Sequence, residues 1–277
     1  MEKSNKISKP LFEDLGYKVA DIPTSDREEK KEADFLISYG NETAIVEAKI
    51  KEDEPKTACN KEKDLSAGKV SIVETKLGRN ETISGTINKA KKQLRSSSDK
   101  EHDFKLISFI ATGSNVQAKI GQFMDTIYGS TLIVNPIDRS YKTCFFYRHS
   151  DFFRHRIIDA AVIGYEQGSM ITTKYLAINP YSENYERIKG SQFIEPFQEK
   201  VIDPIELEKQ GLAYIPDPDI DRKLTELATL VHFHNPIIQH LMKKYQIADF
   251  IIPIDFNCSE LSVRQSAGKK NGVPNIE

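Results

Sequence analysis

Residues 33–50, Ala-Asp-Phe-Leu-Ile-Ser-Tyr-Gly-Asn-Glu-Thr-Ala-Ile-Val-Glu-Ala-Lys-Ile, constrain the fold more than any other stretch. Two apolar runs, 34–38 and 43–50, flank a Tyr-Gly-Asn-Glu turn, and Gly40-Asn41 tolerates the positive φ of a tight hairpin. Three charges interrupt this hairpin: Asp34 where the first strand opens, then Glu47 and Lys49 near the end of the second. Alternation along a strand puts Glu47 and Lys49 on one face, about 7 Å apart at Cα. Charges on a half-buried sheet are costly unless they bind one another or a cation. Local pattern and local charge therefore disagree, and such disagreement marks a functional site.

Metal-assisted phosphodiester hydrolysis suits this arrangement. Asp34 and Glu47 offer hard oxygen ligands to Mg²⁺, with Mn²⁺ as a substitute, and Mg²⁺ takes one or two carboxylates and keeps several waters. Lys49 would orient the attacking water and stabilise negative charge in the transition state. The pattern D-x12-E-x-K resembles the PD-(D/E)xK nuclease superfamily. Ala33-Asp34-Phe35-Leu36 with Ala44-Ile45-Val46-Glu47-Ala48-Lys49 is most similar to the N-terminal nuclease domain of type I restriction motor subunits. The resemblance covers the first half of the chain and implies Mg²⁺-dependent DNA cleavage on a restriction-endonuclease-like core, an α/β fold with a mixed central sheet flanked by helices in α-β-β-β-α-β order. The competing reading is a surface hairpin whose Glu47 and Lys49 form an exposed pair worth under about 1 kcal/mol. Ala44, Ile45, Val46, Ala48 and Ile50 favour a strand covered on both faces instead.

A chain of 277 residues can bury a substantial core as one large domain or two modest ones. No apolar run approaches the roughly 18–20 residues of a membrane helix, so no membrane role is expected. The three cysteines, Cys59, Cys144 and Cys258, lack metal spacing and are odd in number, which points to reduced thiols in a cytoplasm. A net charge of −2 excludes an indiscriminate nucleic-acid coat but permits a local basic face.

In chain order, residues 3–15 predict a helix and 17–22 a strand. Glu13 on that helix is read as solvated surface, although nucleases of this type often carry an acid there. Residues 51–69, charged and containing Pro55 and Gly68, read as a mobile insertion. Residues 70–75 predict an extra strand, and Glu74 with Lys76 forms a second E-x-K that lacks an acid on a preceding paired strand. A helix over 83–98 places Ile83, Ile87, Ala90 and Leu94 on one face and carries Lys89, Lys91, Lys92 and Arg95. The resemblance implies a polar active-site residue from this helix, which Gln93 supplies. Lys89, Lys92 and Arg95 are the candidate phosphate contacts. A buried strand over 104–112, a helix to about 128 and a strand over 130–135 complete a first region, 1–138.

The second region, 139–261, is read as an α/β extension that positions DNA, mediates oligomerisation or binds a partner. It comprises a strand over 143–147, a helix from Ser150 or Asp151 to about 163, a strand over 174–179 and a helix over 192–201. Arg148, His149, Arg154, His155 and Arg156 mix bases with aromatics, and packing is the favoured reading of that stretch. Asp217, Asp219 and Asp221 fail as a calcium loop and instead cap a helix over 222–233. His232, His234 and His240 lack a fourth ligand. A helix over 236–245, a strand over 250–254 and a flexible tail over 262–277 close the chain.

The leading expectation is a cytoplasmic Mg²⁺-dependent DNA endonuclease of prokaryotic or phage defence, restriction or repair. Without a Walker A sequence the chain has no recognisable ATP motor, so a helicase or ATPase would be a separate subunit. The alternatives are a catalytically silent nuclease-fold binding module and an RNase.

Overall fold

The computed structural model describes residues 3–22, 32–168, 170–222, 235–251 and 257–264. In chain order its first half comprises α1 (Lys3–Asp14), β1 (Lys18–Asp21), β2 (Phe35–Tyr39), β3 (Glu42–Lys51), α2 (Pro55–Ser66), β4 (Ser71–Lys76), α3 (Glu81–Ser96), β5 (Phe104–Ala111) and α4 (Val116–Tyr128). There follow β6 (Thr131–Val134), β7 (Tyr141–Cys144), α5 (Asp151–Arg154), β8 (Ala160–Gln167), β9 (Met170–Ile178), α6 (Tyr185–Lys189) and a 3-10 helix (Gln192–Lys200). The remainder is β10 (Val201–Ile202), α7 (Pro204–Lys209), β11 (Ala213–Tyr214), α8 (Pro236–Tyr245) and β12 (Asn257–Ser262).

The fold is α/β, with a mixed central sheet flanked by helices. Seven strands run in the order β1-β2-β3-β5-β8-β9-β10. β1, β2 and β3 form an antiparallel meander, and β3, β5 and β8 then lie parallel. Parallel neighbours need a crossover, and α3 and α4 supply the crossovers that precede and follow β5. Both helices pack on one face of the sheet, where Ile45, Ile107, Phe109 and Ile163 meet Ile83, Ile87, Leu94 and Phe123. On the opposite face α1 and the 3-10 helix cover Ala44, Val46, Ala48 and Leu106 with Leu11, Phe12, Phe193 and Phe197. With both faces covered, β3 and β5 lose the polar–apolar alternation of a surface strand. Any charge on β3 that faces a helix is therefore conspicuous.

β8, β9 and β10 hydrogen-bond into the same sheet as β1, β2, β3 and β5, so the central sheet crosses the expected boundary at residue 138. What stands apart is a three-stranded sheet, β11-β7-β6, whose apolar residues pack with α8 through Ile133, Cys144, Tyr214, Ile237 and Leu241. Three readings need correction. The helix expected to reach about 163 stops at Arg154, and Ala160–Gln167 is a central strand in which Ala160, Ala161, Val162 and Ile163 are fully buried. A short apolar run with helical spacing upstream serves a buried strand equally well, and periodicity does not separate the two. Residues 51–69 contain a helix, α2, started by Pro55 in its first turn. Finally, the tail expected from Ser262 gives up that residue to a strand, Asn257–Ser262, which pairs antiparallel with β4. Phe250 is buried, and Ile251 makes a single bridge to Val134 rather than a strand. The rest of the 250–254 reading, nearly all of the 222–233 helix, His232, His234 and the tail from 265 lie outside the described residues.

Candidate functional site

The β2–β3 turn sets the register of everything in the site. Tyr39 pairs with Glu42, leaving Gly40 and Asn41 as a two-residue loop in which Gly40 has φ of +58°. Positive φ at the first loop position alone is the signature of a II′-type hairpin turn, where glycine carries no steric cost. From that turn the pairing runs back through Leu36–Ile45 to Phe35–Val46. One step further, the Asp34 N–H donates to the Val46 carbonyl at 3.0 Å, which puts Asp34 opposite Glu47 on the helix-covered face. The Ala48 N–H donates to Asp34 Oδ2 at 2.8 Å and fixes that carboxylate across the strands.

Glu47 is 1% exposed, and its carboxylate Oε1 accepts from Lys49 Nζ. Lys49 also donates to Gln93 Oε1 at 3.2 Å, and Gln93 Nε2 donates to the Glu32 carbonyl at 3.4 Å. Hence β2, β3 and α3 bring Asp34, Glu47, Lys49 and Gln93 to one place. The ammonium has three donors; Glu47 and Gln93 engage two, leaving one for a water or an anionic oxygen. A surface ion pair would not carry a nearly inaccessible carboxylate, so the surface-hairpin reading does not describe this site.

The other candidates scatter. Lys89 and Lys92 are exposed on α3, Lys89 on the flank that carries Gln93 and Lys92 outward, as 100° per residue dictates. Arg95 falls on the far flank, beside Lys91. Glu13 is exposed on α1, which covers the opposite face of the sheet. Glu74 of the second E-x-K faces Ser259 across β12 and has no acid opposite it.

Beyond Lys49 the same face of β3 presents Lys51, at the edge of a shallow cavity of about 210 Å³ that also takes in Asp53, Asn80 and Lys119. Lys119 is 5% exposed, and its Nζ donates to Asp53 Oδ1 and to the Thr112 carbonyl, both at 2.6 Å. Burial alone would raise the Asp53 carboxyl, but the hydrogen bonds from Lys119 and from the Ser114 N–H outweigh it and hold it below the usual range. The approach requires Gly113: at φ of +77°, an added Cβ would meet Asp53 Oδ2 at 2.7 Å. Neither Lys119 nor Asp53 was singled out from sequence. The available signal was a lysine spaced four residues before Phe123 on the buried side of α4.

For a metal, the donor set is narrow. Among the described residues no cluster of three or more histidine, cysteine, aspartate or glutamate side chains is poised to hold an ion. The pair Asp34 and Glu47 matches the one or two carboxylates that Mg²⁺ accepts while keeping water. Among the described residues no helix is long and apolar enough to cross a membrane. No known family model, characterised protein or solved structure matches the chain.

Proposed function

We propose that this chain is a Mg²⁺-dependent DNA endonuclease built on a restriction-endonuclease-like core. One observation carries the reading: the hairpin register sets Asp34 opposite Glu47, and Lys49 bonds both Glu47 and the Gln93 side chain arriving from α3. Two carboxylates with an ammonium on a sheet covered on both faces suit phosphodiester hydrolysis better than fold stability, since a buried ion pair rarely stabilises more than apolar packing would.

Asp34 and Glu47 would hold the cation, which supplies charge neutralisation at the phosphate and a more acidic water. Asp34 is preset for that task, because the Ala48 N–H fixes one carboxylate oxygen. Gln93 fixes the Lys49 ammonium from the helix side, so that its remaining donor is directed without rotamer search. Lys49 then orients the attacking water and offsets charge that grows on the phosphoryl oxygens. Lys51 and the exposed Lys89 extend positive charge from this centre along β3 and α3. The setting consistent with this chemistry is cytoplasmic DNA defence, restriction or repair, with a homo-oligomer or a separate helicase or ATPase subunit as partner.

The test is cleavage of plasmid, linear duplex, single-stranded DNA and RNA in Mg²⁺, Mn²⁺ or EDTA, with Asp34→Ala and Lys49→Ala alongside. The reading expects metal-dependent DNA cutting that both substitutions abolish. Cutting confined to RNA would make the protein an RNase. Cutting that survives both substitutions would remove the site assignment, and DNA binding without any cutting would favour the silent module.

A further inference from the structure

A second concavity, of about 530 Å³, opens at the amino-terminal ends of β5 and β8, on the flank of α3 away from Gln93. Lys91 and Arg95 line it from α3, Lys105 from β5, Arg154 from the end of α5 and Arg156 from the turn that follows it. None of these five cations makes an ion pair among the described residues. The acids nearby do not cancel them. Asp159 is spent inward, accepting from the Lys105 N–H at 2.7 Å and from the Ser182 hydroxyl, and only Glu183 is exposed at the rim. Lys105 also acts on Asp159, favouring its charged form; the positive charge left in the concavity still repels itself, and an anion relieves that repulsion.

The wall also carries a flat apolar face. Phe153 is 41% exposed, held edge-on by Tyr181, with the Arg156 guanidinium 5.4 Å from its ring centre. Phosphate-binding cations beside an exposed aromatic ring and a guanidinium plane are the components with which proteins hold unpaired bases. The cavity volume falls within the roughly 300–1,000 Å³ of small-ligand sites. It admits a nucleotide or two and is too confined for a duplex, whose stacked bases offer no free face to Phe153.

We propose that this cleft binds a phosphate-bearing nucleotide whose base is unpaired, with Lys91, Arg95, Lys105, Arg154 and Arg156 on the phosphates and Phe153 against the base. The shared chemistry is phosphate plus aromatic base, and its source is either a single-stranded nucleic acid or a free nucleotide. Because Asp34, Glu47 and Lys49 take no part, the site stands or falls apart from the nuclease reading.

Fluorescence anisotropy on the full chain in EDTA tests it, with fluorescein-labelled oligo(dT) as probe and dTMP, ATP, inorganic phosphate and blunt duplex as competitors. Arg156→Ala and the Lys91→Ala/Arg95→Ala pair should each weaken oligo(dT) binding about tenfold or more. They should also reduce the log–log salt slope by roughly 0.7 for each cation lost. Phe153→Ala should weaken it by about tenfold with the salt slope unchanged, as loss of one stacking contact does. All of these residues except Lys91 are exposed, so the variants should fold, and Arg156→Lys should restore part of the affinity. Competition by dTMP or ATP as strong as by oligo(dT) assigns the site to free nucleotides, whereas preference for the oligonucleotide assigns it to a strand. Wild-type affinity in the cleft variants, or competition by inorganic phosphate or blunt duplex equal to that of both nucleotide probes, would overturn the proposal. If cutting is absent from every protein while the cleft variants lose binding, the cleft survives and the nuclease reading fails.

Discussion

The two flanks of α3 handle charge in opposite ways. On one, Asp34, Glu47, Lys49 and Gln93 are drawn together, and the glutamate is almost wholly removed from solvent. On the other, five cations line an open cleft with no ion pair among the described residues. A group that must act on a bond needs its rotamer fixed by neighbours, whereas a group that recruits phosphate works best solvated and uncommitted. On the two proposed readings the same helix serves one site for chemistry and one for capture, because Gln93 and Arg95 lie about 200° apart around its axis.

Activity should separate the two flanks most widely. Asp34→Ala or Glu47→Ala should lower metal-dependent cleavage by about 10³-fold or more, while Arg156→Ala leaves single-turnover cleavage of saturating substrate within roughly threefold. Equal losses in both would erase the division of labour. Stability should separate the flanks next. Lys49→Ala strands the Glu47 carboxylate and is expected to cost about 3–5 kcal/mol. Arg156→Ala, at an exposed position, should stay within about 0.5 kcal/mol, as urea denaturation can establish. Gln93→Ala falls between, losing about 1 kcal/mol of stability with its bond to Lys49 and about tenfold in cleavage, through kcat more than KM.

A smaller effect separates them by pH. Burial lowers the affinity of His155 for protons, and Lys91 lowers it further; burial and Arg154 do the same to His149. Both rings thus take up a proton less readily when folded than at the ordinary value of 6.5. The unfolded chain binds the extra protons, so this contribution is complete above about pH 6.5 and is lost as pH falls through the lowered folded values. Melting temperature should fall between pH 7.5 and 5.5, and His155→Gln should flatten that dependence. No flattening would mean that neither burial nor Lys91 lowers the affinity of His155 for protons in the folded chain.

The central meander and the site were legible because their determinants are local. Gly40-Asn41 fixes a two-residue turn, the turn fixes the register, and the register alone puts Asp34 opposite Glu47. Gln93 was legible only through the family resemblance, which implies a polar residue from this helix. Strand β8 was misread because Phe152, Phe153, Ile157 and Ile158 look helical, while the Ala160–Ile163 run is decided by its two strand neighbours, β5 and β9. β12, Asn-Cys-Ser-Glu-Leu-Ser, has no strong apolar pattern of its own. Its partner β4 lies about 180 residues earlier in the chain, and Glu260 is held there by Lys61 at 3.0 Å and by the Asn115 N–H at 2.5 Å.

Turn chemistry, alternation and helical period act over a few residues, and they suffice for the α/β character, the hairpin and the chemical identity of the groups at its end. Packing between distant segments settled the rest: one sheet runs through both halves, one flank of α3 meets Lys49, and Lys105 joins Arg154 and Arg156. Those outcomes depend on which faces pack together, and the choice is made by burial summed over distant segments rather than by any stretch of chain.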